Sequence, residues 1–253
     1  MTGPVALHGG GEFRAGDEPF LAALLELAAA RVEQGADGRP IRIAIVPTAA
    51  ARGRPDLSAA EGVAAFERVA ADGSFDVDVR SVAVVDRATA TDRGLVERLA
   101  EADVIHFPGG DPDLIPMIMH GSPAWAAVTN ALAAGAILAG ASAGAMAFGS
   151  WTWTPGGGIA GLMIVHGIVV VPHVKPATWE TTIERFRAWA PPGLGALGLA
   201  EQTGAIRQPV IPGGATIGWR VVGLGEARWL PALGDETVVG RSGDVIEIPV
   251  IPL

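Results

Sequence analysis

Ala136-Ile137-Leu138-Ala139-Gly140-Ala141-Ser142-Ala143-Gly144-Ala145-Met146 decides how this 253-residue chain is read. A short apolar run enters a Gly-x-Ser-x-Gly turn, and small helix-compatible residues leave it. Strand, sharp turn and helix in that order form the setting that pushes a serine out at the carboxyl edge of an α/β sheet. Glycines two before and two after Ser142 allow so tight a turn. The Ala143 N–H and the helix N-terminus would then face a developing oxyanion. A plain small-residue turn has the same spelling, so other residues must separate the two readings.

Outward from this turn, apolar runs at residues 5–7, 41–46, 75–84, 104–107, 164–171 and 197–200 read as strands. Helical patterns lie between them. One covers residues 18–33 behind a capping Asp17, and one runs to residue 70 from a Ser58/Glu61 capping box. Others cover residues 92–100, 112–119, 123–133 and 178–189. Beyond Gly204 short strands follow at 216–222, 227–230 and 245–250. The alternation specifies an α/β fold: a mostly parallel, doubly wound sheet flanked by helices, with a β-rich C-terminal extension over residues 204–253. No repeat or linker divides the chain, so residues 1–253 read as a single domain.

Composition narrows the function. Hydrophobic residues make up 49% and charged residues 18%, the opposite of a disordered chain. Acidic residues exceed basic ones for a net charge of −9, and no basic run is present, which argues against nucleic acid as a partner. No cysteine is present, which removes thiolate nucleophiles and thiolate metal sites. Residues 114–174 contain no Asp, Glu, Lys or Arg, yet their apolar stretch is largely Ala and Gly without a flanking basic marker. It reads as the buried centre of a soluble protein rather than a membrane span. The N-terminus lacks a signal-peptide pattern, so a cytoplasmic location is expected.

A nucleophilic serine needs a base and an orienting acid. Of the five histidines, His173 directly follows a buried strand and so shares the edge expected for Ser142, with His8 as its competitor. His166 reads as a core histidine inside a strand, His106 precedes a glycine turn, and His120 ends a helix. The uncharged stretch leaves no acid between Ser142 and His173, which disfavours the order serine, acid, histidine. Glu201 follows a short apolar strand and is chosen as the acid. Glu180 and Glu184 read as solvated charges on a helix face. Phe107-Pro108-Gly109-Gly110-Asp111 ends another strand; its free N–H groups, best that of Gly110, could supply the second oxyanion donor, an ordinary strand-to-helix turn is the other reading, and Asp111 reads alone as a helix cap. Gly9-Gly10-Gly11 lacks the spacing of a dinucleotide site. Lys175 is the only lysine, and it is not in a phosphate loop.

Six segments together resemble the serine peptidases that include aspartyl dipeptidase (peptidase E) and cyanophycinase. They are Leu7-His8-Gly9-Gly10-Gly11-Glu12, Ile43-Ala44-Ile45-Val46-Pro47-Thr48-Ala49, Ile105-His106-Phe107-Pro108-Gly109-Gly110-Asp111, the elbow from Ala139 to Met146, Val170-Val171-Pro172-His173, and Leu197-Gly198-Leu199-Ala200-Glu201-Gln202-Thr203-Gly204. The resemblance implies a class I glutamine amidotransferase-like fold. It also implies hydrolysis of short peptides or isopeptides, with Ser142 as nucleophile, His173 as base, Glu201 as third member and Gly110 and Ala143 as oxyanion donors. No cofactor and no metal are implied. Substrate contacts are expected from Asp111, Lys175 and Arg185. The sequence departs from the family around substrate: Pro172 precedes His173, no arginine-rich stretch follows it, and Pro112 follows the Gly-Gly-Asp. Seven tryptophans without a tyrosine read mostly as core, with an apolar substrate pocket as their other use. An esterase or amidase on the same three residues, and a silent small-molecule-binding homologue, are the competing functions. The expected partner is a small peptide, not a membrane or nucleic acid, with a homodimer left open.

Overall fold

A computed structural model describes residues 3–34, 38–209, 213–234 and 236–250. The outermost residues of the expected domain, 1–2 and 251–253, lie outside that set. In chain order the strands are β1 (Val5–His8), β2 (Ile41–Ile45), β3 (Val77–Ser81), β4 (Val104–Phe107), β5 (Ile137–Ala141), β6 (Trp151–Thr154), β7 (Gly157–Ala160), β8 (Ile168–Val171), β9 (Gly195–Leu199), β10 (Thr203–Arg207), β11 (Thr216–Gly223), β12 (Glu226–Leu230), β13 (Val238–Arg241) and β14 (Val245–Pro249). The helices are α1 (Glu18–Gln34), α2 (Pro55–Gly73), α3 (Arg93–Ala100), α4 (Leu114–Met119), α5 (Pro123–Ala133), α6 (Ala143–Ala147) and α7 (Trp179–Trp189).

The central sheet has the order β14-β11-β10-β1-β5-β4-β2-β3. Strands β1 to β5 within it pair in parallel, and the C-terminal strands β10, β11 and β14 add to it antiparallel. Alternate residues of each strand face opposite layers. Ile41, Ile43 and Ile45 meet Phe20, Leu24 and Phe66 of α1 and α2, whereas Ala44 and Val46 join the core on the other side. That second core also takes Leu197, Leu199 and Trp229 from a second sheet of order β13-β12-β9-β8. Among the described residues no helix is long and apolar enough to cross a membrane.

Several local expectations change: the strand expected at 75–84 is Val77–Ser81, and Asp113, not Asp111, is the N-cap of α4. Helix α2 starts at Pro55, three residues before Ser58, because proline supplies the first helical φ and the Ser58 N–H already bonds the Arg54 carbonyl. Ser58 and Glu61 are therefore inside the helix and not a capping box. Asp17 precedes α1, but its carboxylate accepts from the Phe13 N–H and lies 2.9 Å from His8 Nε2. The run 164–171 is a strand only from Ile168; before it Ile164 and Val165 donate to the Phe148 carbonyl in a turn that holds His166 half-buried. Within the uncharged stretch, strands β6 and β7 pair as an antiparallel hairpin.

Candidate active site

Ser142 stands between β5 and α6 at φ 49° and ψ −116°, a backbone conformation that side chains rarely adopt. Its own N–H donates to the His8 carbonyl at 2.9 Å, which pins the turn to β1. A Cβ on Gly144 would come within 2.0 Å of the Phe107 carbonyl oxygen, so the first turn of α6 can press against β4 only with glycine there. Hence the elbow's second glycine is a packing requirement between the start of α6 and the end of β4.

His173 follows β8 and Glu201 follows β9, both in the second sheet, while Ser142 ends a strand of the central sheet. A single edge was expected; the site forms instead along the seam where the two sheets meet. Ser142 Oγ lies 2.8 Å from His173 Nε2, and His173 Nδ1 lies 3.0 Å from Glu201 Oε1. The His173 and Glu201 side chains are 47% and 58% exposed, so their pairing adds little to stability and serves to orient the ring.

The glycine turn after β1 builds the socket for that ring. The His173 N–H donates to the Gly9 carbonyl at 2.8 Å, and the Gln202 N–H donates to the Gly10 carbonyl at 2.8 Å. Gly10 has φ 100°, and a Cβ on it would lie 2.2 Å from His173 Cε1. The imidazole therefore rests on bare backbone. Beneath it the Gly10 N–H donates to His8 Nδ1 at 3.2 Å, which leaves the His8 proton on Nε2, toward Asp17. His8 is fully buried in this role and is not at the serine.

Glu12 carries a function that motif reading passed over. Its Oε1 accepts from the Gly109 N–H at 2.7 Å, tethering the Gly109–Gly110 turn that adjoins Ser142. The acidic residue closing the Gly9–Gly11 turn was the available signal. Arg52 grips the same turn from outside with two hydrogen bonds to Asp113, whose carboxyl it holds below the usual range.

Gly110, Ser142, Ala143, His173 and Arg185 line one cavity of about 590 Å³. Asp111 is not among its walls; its carboxylate faces Arg52 at 3.6 Å. Lys175 is exposed and likewise absent from the walls. Of the seven tryptophans, Trp151, Trp153 and Trp189 line this cavity, and Trp125, Trp179, Trp219 and Trp229 pack into or against the core. Glu180 and Glu184 are exposed on α7. His106 is fully buried between the Phe13 and Phe66 rings, and burial pushes its pKa down to about 3, so it is neutral and stands apart from the serine chemistry.

The family model for peptidase family S51 matches residues 9–202, a span that contains Ser142, His173 and Glu201. A comparison with curated proteins finds no match. Among solved structures, a peptidase from an acI-B1 actinobacterium is similar with a TM-score of 0.73 and 23% identity, covering 98% of each chain. A candidate peptidase E from Listeria monocytogenes EGD-e is similar with a TM-score of 0.52 and 14% identity, covering 95% of this chain and 99% of its own. At those identities the likeness is one of fold.

Proposed function

The chain belongs to peptidase family S51 and is thereby a serine-type hydrolase, and from that premise we propose that it cleaves short peptides or isopeptides through an acyl-enzyme on Ser142, His173 and Glu201. The observation that carries this reading is the line of contacts from Ser142 Oγ to His173 Nε2 at 2.8 Å and from His173 Nδ1 to Glu201 Oε1 at 3.0 Å.

With the Nδ1 proton donated to Glu201, Nε2 of neutral His173 is an acceptor aimed at the serine hydroxyl. Ser142 Oγ attacks the substrate carbonyl as its proton passes to Nε2. The oxygen that gains charge is received by the backbone N–H groups of Gly110 and Ala143. The tetrahedral species collapses, the C–N bond breaks, and the imidazolium returns the proton to the departing amine. Water then enters by the same route: His173 takes its proton, the hydroxide attacks the acyl carbonyl, and Ser142 leaves reprotonated. Glu201 keeps its charge throughout and stabilises the imidazolium.

The test is hydrolysis of a dipeptide library and labelling by a fluorophosphonate, each with Ser142→Ala and Glu201→Gln alongside. Ser142→Ala should abolish labelling and lower kcat by about 10⁴- to 10⁶-fold. Glu201→Gln should fold normally and lose about 10⁴-fold, as a change that stabilises the wrong tautomer does. Normal turnover by Glu201→Gln would reduce the triad to a serine–histidine pair. Hydrolysis of simple esters without any peptide cleavage would move the assignment to an esterase.

A further inference from the structure

Three tryptophans converge on the wall of the cavity that holds Ser142 and His173. Resting on the peptidase reading above, we infer that this cavity selects peptides carrying a bulky apolar side chain, aromatic or branched aliphatic, on a residue flanking the scissile bond.

Four separate elements supply the apolar wall: Met146 from α6, Trp151 and Trp153 from β6, Val170 from β8, and Phe186 and Trp189 from α7. Against these, among the described residues, stand Arg185 and, when protonated, His173 as charged side chains. A carboxylate side chain entering such a wall would give up most of its hydration for one exposed guanidinium, an exchange that disfavours it. An apolar side chain loses nothing by the same transfer. The cavity's 590 Å³ lies within the range of small-ligand sites and would hold about twenty waters at roughly 30 Å³ each. Displacing poorly ordered water from beside apolar walls by an apolar group favours binding.

The rim points the same way. Trp153 is 44% exposed and Trp189 54% exposed, and their ring centroids lie 6.0 Å apart although they belong to a hairpin and a distant helix. Large exposed rings brought together at the mouth of a cavity mark a binding surface. Beyond the serine the character reverses. A second cavity of about 260 Å³ shares Gly110, Ser142 and His173 but is lined by Glu12, Arg14, Ser58 and Glu61. The nucleophile thus stands at a border between an apolar and a polar chamber. A peptide crossing that border places its large apolar side chain on the tryptophan side.

The experiment measures kcat/KM for peptides in which each residue flanking the scissile bond is varied among Phe, Leu, Trp, Ala, Asp and Arg. The unaltered protein is assayed beside Trp153→Ala and Trp189→Ala, with fluorophosphonate labelling of all three as a measure of serine reactivity. Both tryptophans are exposed, on different elements, so loss of folding in one variant leaves the other informative. We expect Phe, Leu or Trp at one position to exceed Ala and Asp at least tenfold, since a single methylene in an apolar pocket is worth about 10- to 200-fold. The Phe-over-Ala ratio should fall about tenfold in each variant that still labels. Strong labelling without an apolar preference would overturn the inference. So would a preference untouched by either variant, or one led by Asp that Arg185→Ala abolishes. Absent labelling and absent turnover in the unaltered protein would instead overturn the serine reading, and the inference with it.

Discussion

Ser142 is held in a conformation its own Cβ resists, and three other non-glycine residues around it share that property: Phe13 at φ 67°, His173 at φ 56° and Gln202 at φ 52°. Backbone in such regions costs about 1–3 kcal/mol per residue and persists where neighbouring contacts enforce it. Around Ser142 the enforcing contacts are the N–H bond to His8 and the close approach of Gly144 to β4. The strain is measurable. Ser142→Gly and Ser142→Ala both lose the hydroxyl, but only glycine relieves the torsion. Allowing for glycine's greater freedom in the unfolded chain, Ser142→Gly should be more stable than Ser142→Ala by about 1 kcal/mol in urea unfolding. Equal midpoints would show that the elbow is unstrained.

At the scale of elements, the turn after β1 links both halves of the site, because its carbonyls receive the N–H groups that follow β8 and β9. Gly10→Ala should push the His173 ring off its seat, since the added carbon would lie 2.2 Å from the ring. A misplacement of about 1 Å costs roughly 10²-fold in rate, so kcat should fall at least that far with secondary structure retained by circular dichroism. Gly121→Ala is the control. Gly121 has φ 68° but open space around it, so that variant should lose some stability and keep its turnover. Matching kinetics for the two variants would remove the socket role from Gly10. The polar cavity lined by Ser58 and Glu61 also belongs to this scale, since the earlier start of α2 turns a supposed cap into a wall.

Across the whole molecule, acid should weaken the fold before it reaches the carboxylates. Burial holds His106 at a pKa of about 3 against an ordinary 6.5, so between those values the unfolded chain binds a proton that the folded one refuses. Stability is therefore full above pH 6.5 and falls by about 1.4 kcal/mol per pH unit as pH drops toward 3. Asp103 contributes in a lower window. Burial tends to raise its pKa, but hydrogen bonds from Arg39 and the Arg42 N–H outweigh that and hold it below 3.8, so its share is lost only as pH falls past 3.8. His106→Phe, with Phe13 and Phe66 as ring neighbours, should flatten the limb between pH 6.5 and 4 in thermal unfolding and leave the lower one. An unchanged slope would mean that His106 protonates in place.

Much of this architecture is local and therefore legible along the chain. Apolar runs ending in glycine mark β1, β4 and β5, the Gly-x-Ser-x-Gly turn marks the elbow, and 61 residues without a charge, 114–174, remove any acid between Ser142 and His173. Strand periodicity and turn chemistry depend on neighbours a few residues apart, which is why Ser142, His173 and Glu201 could be singled out in advance. Long-range contact settled the rest. The seat of His173 on Gly10 and the Glu12 tether on Gly109 join residues separated by about 100 to 160 positions, and no local pattern encodes such pairs or the division of the strands between two sheets. The tryptophans show the same division most plainly. A tryptophan's size and apolarity suit core and cavity equally, so the assignment of Trp179 and Trp219 to the interior and of Trp151, Trp153 and Trp189 to the cavity follows from which surfaces the folded elements leave facing one another.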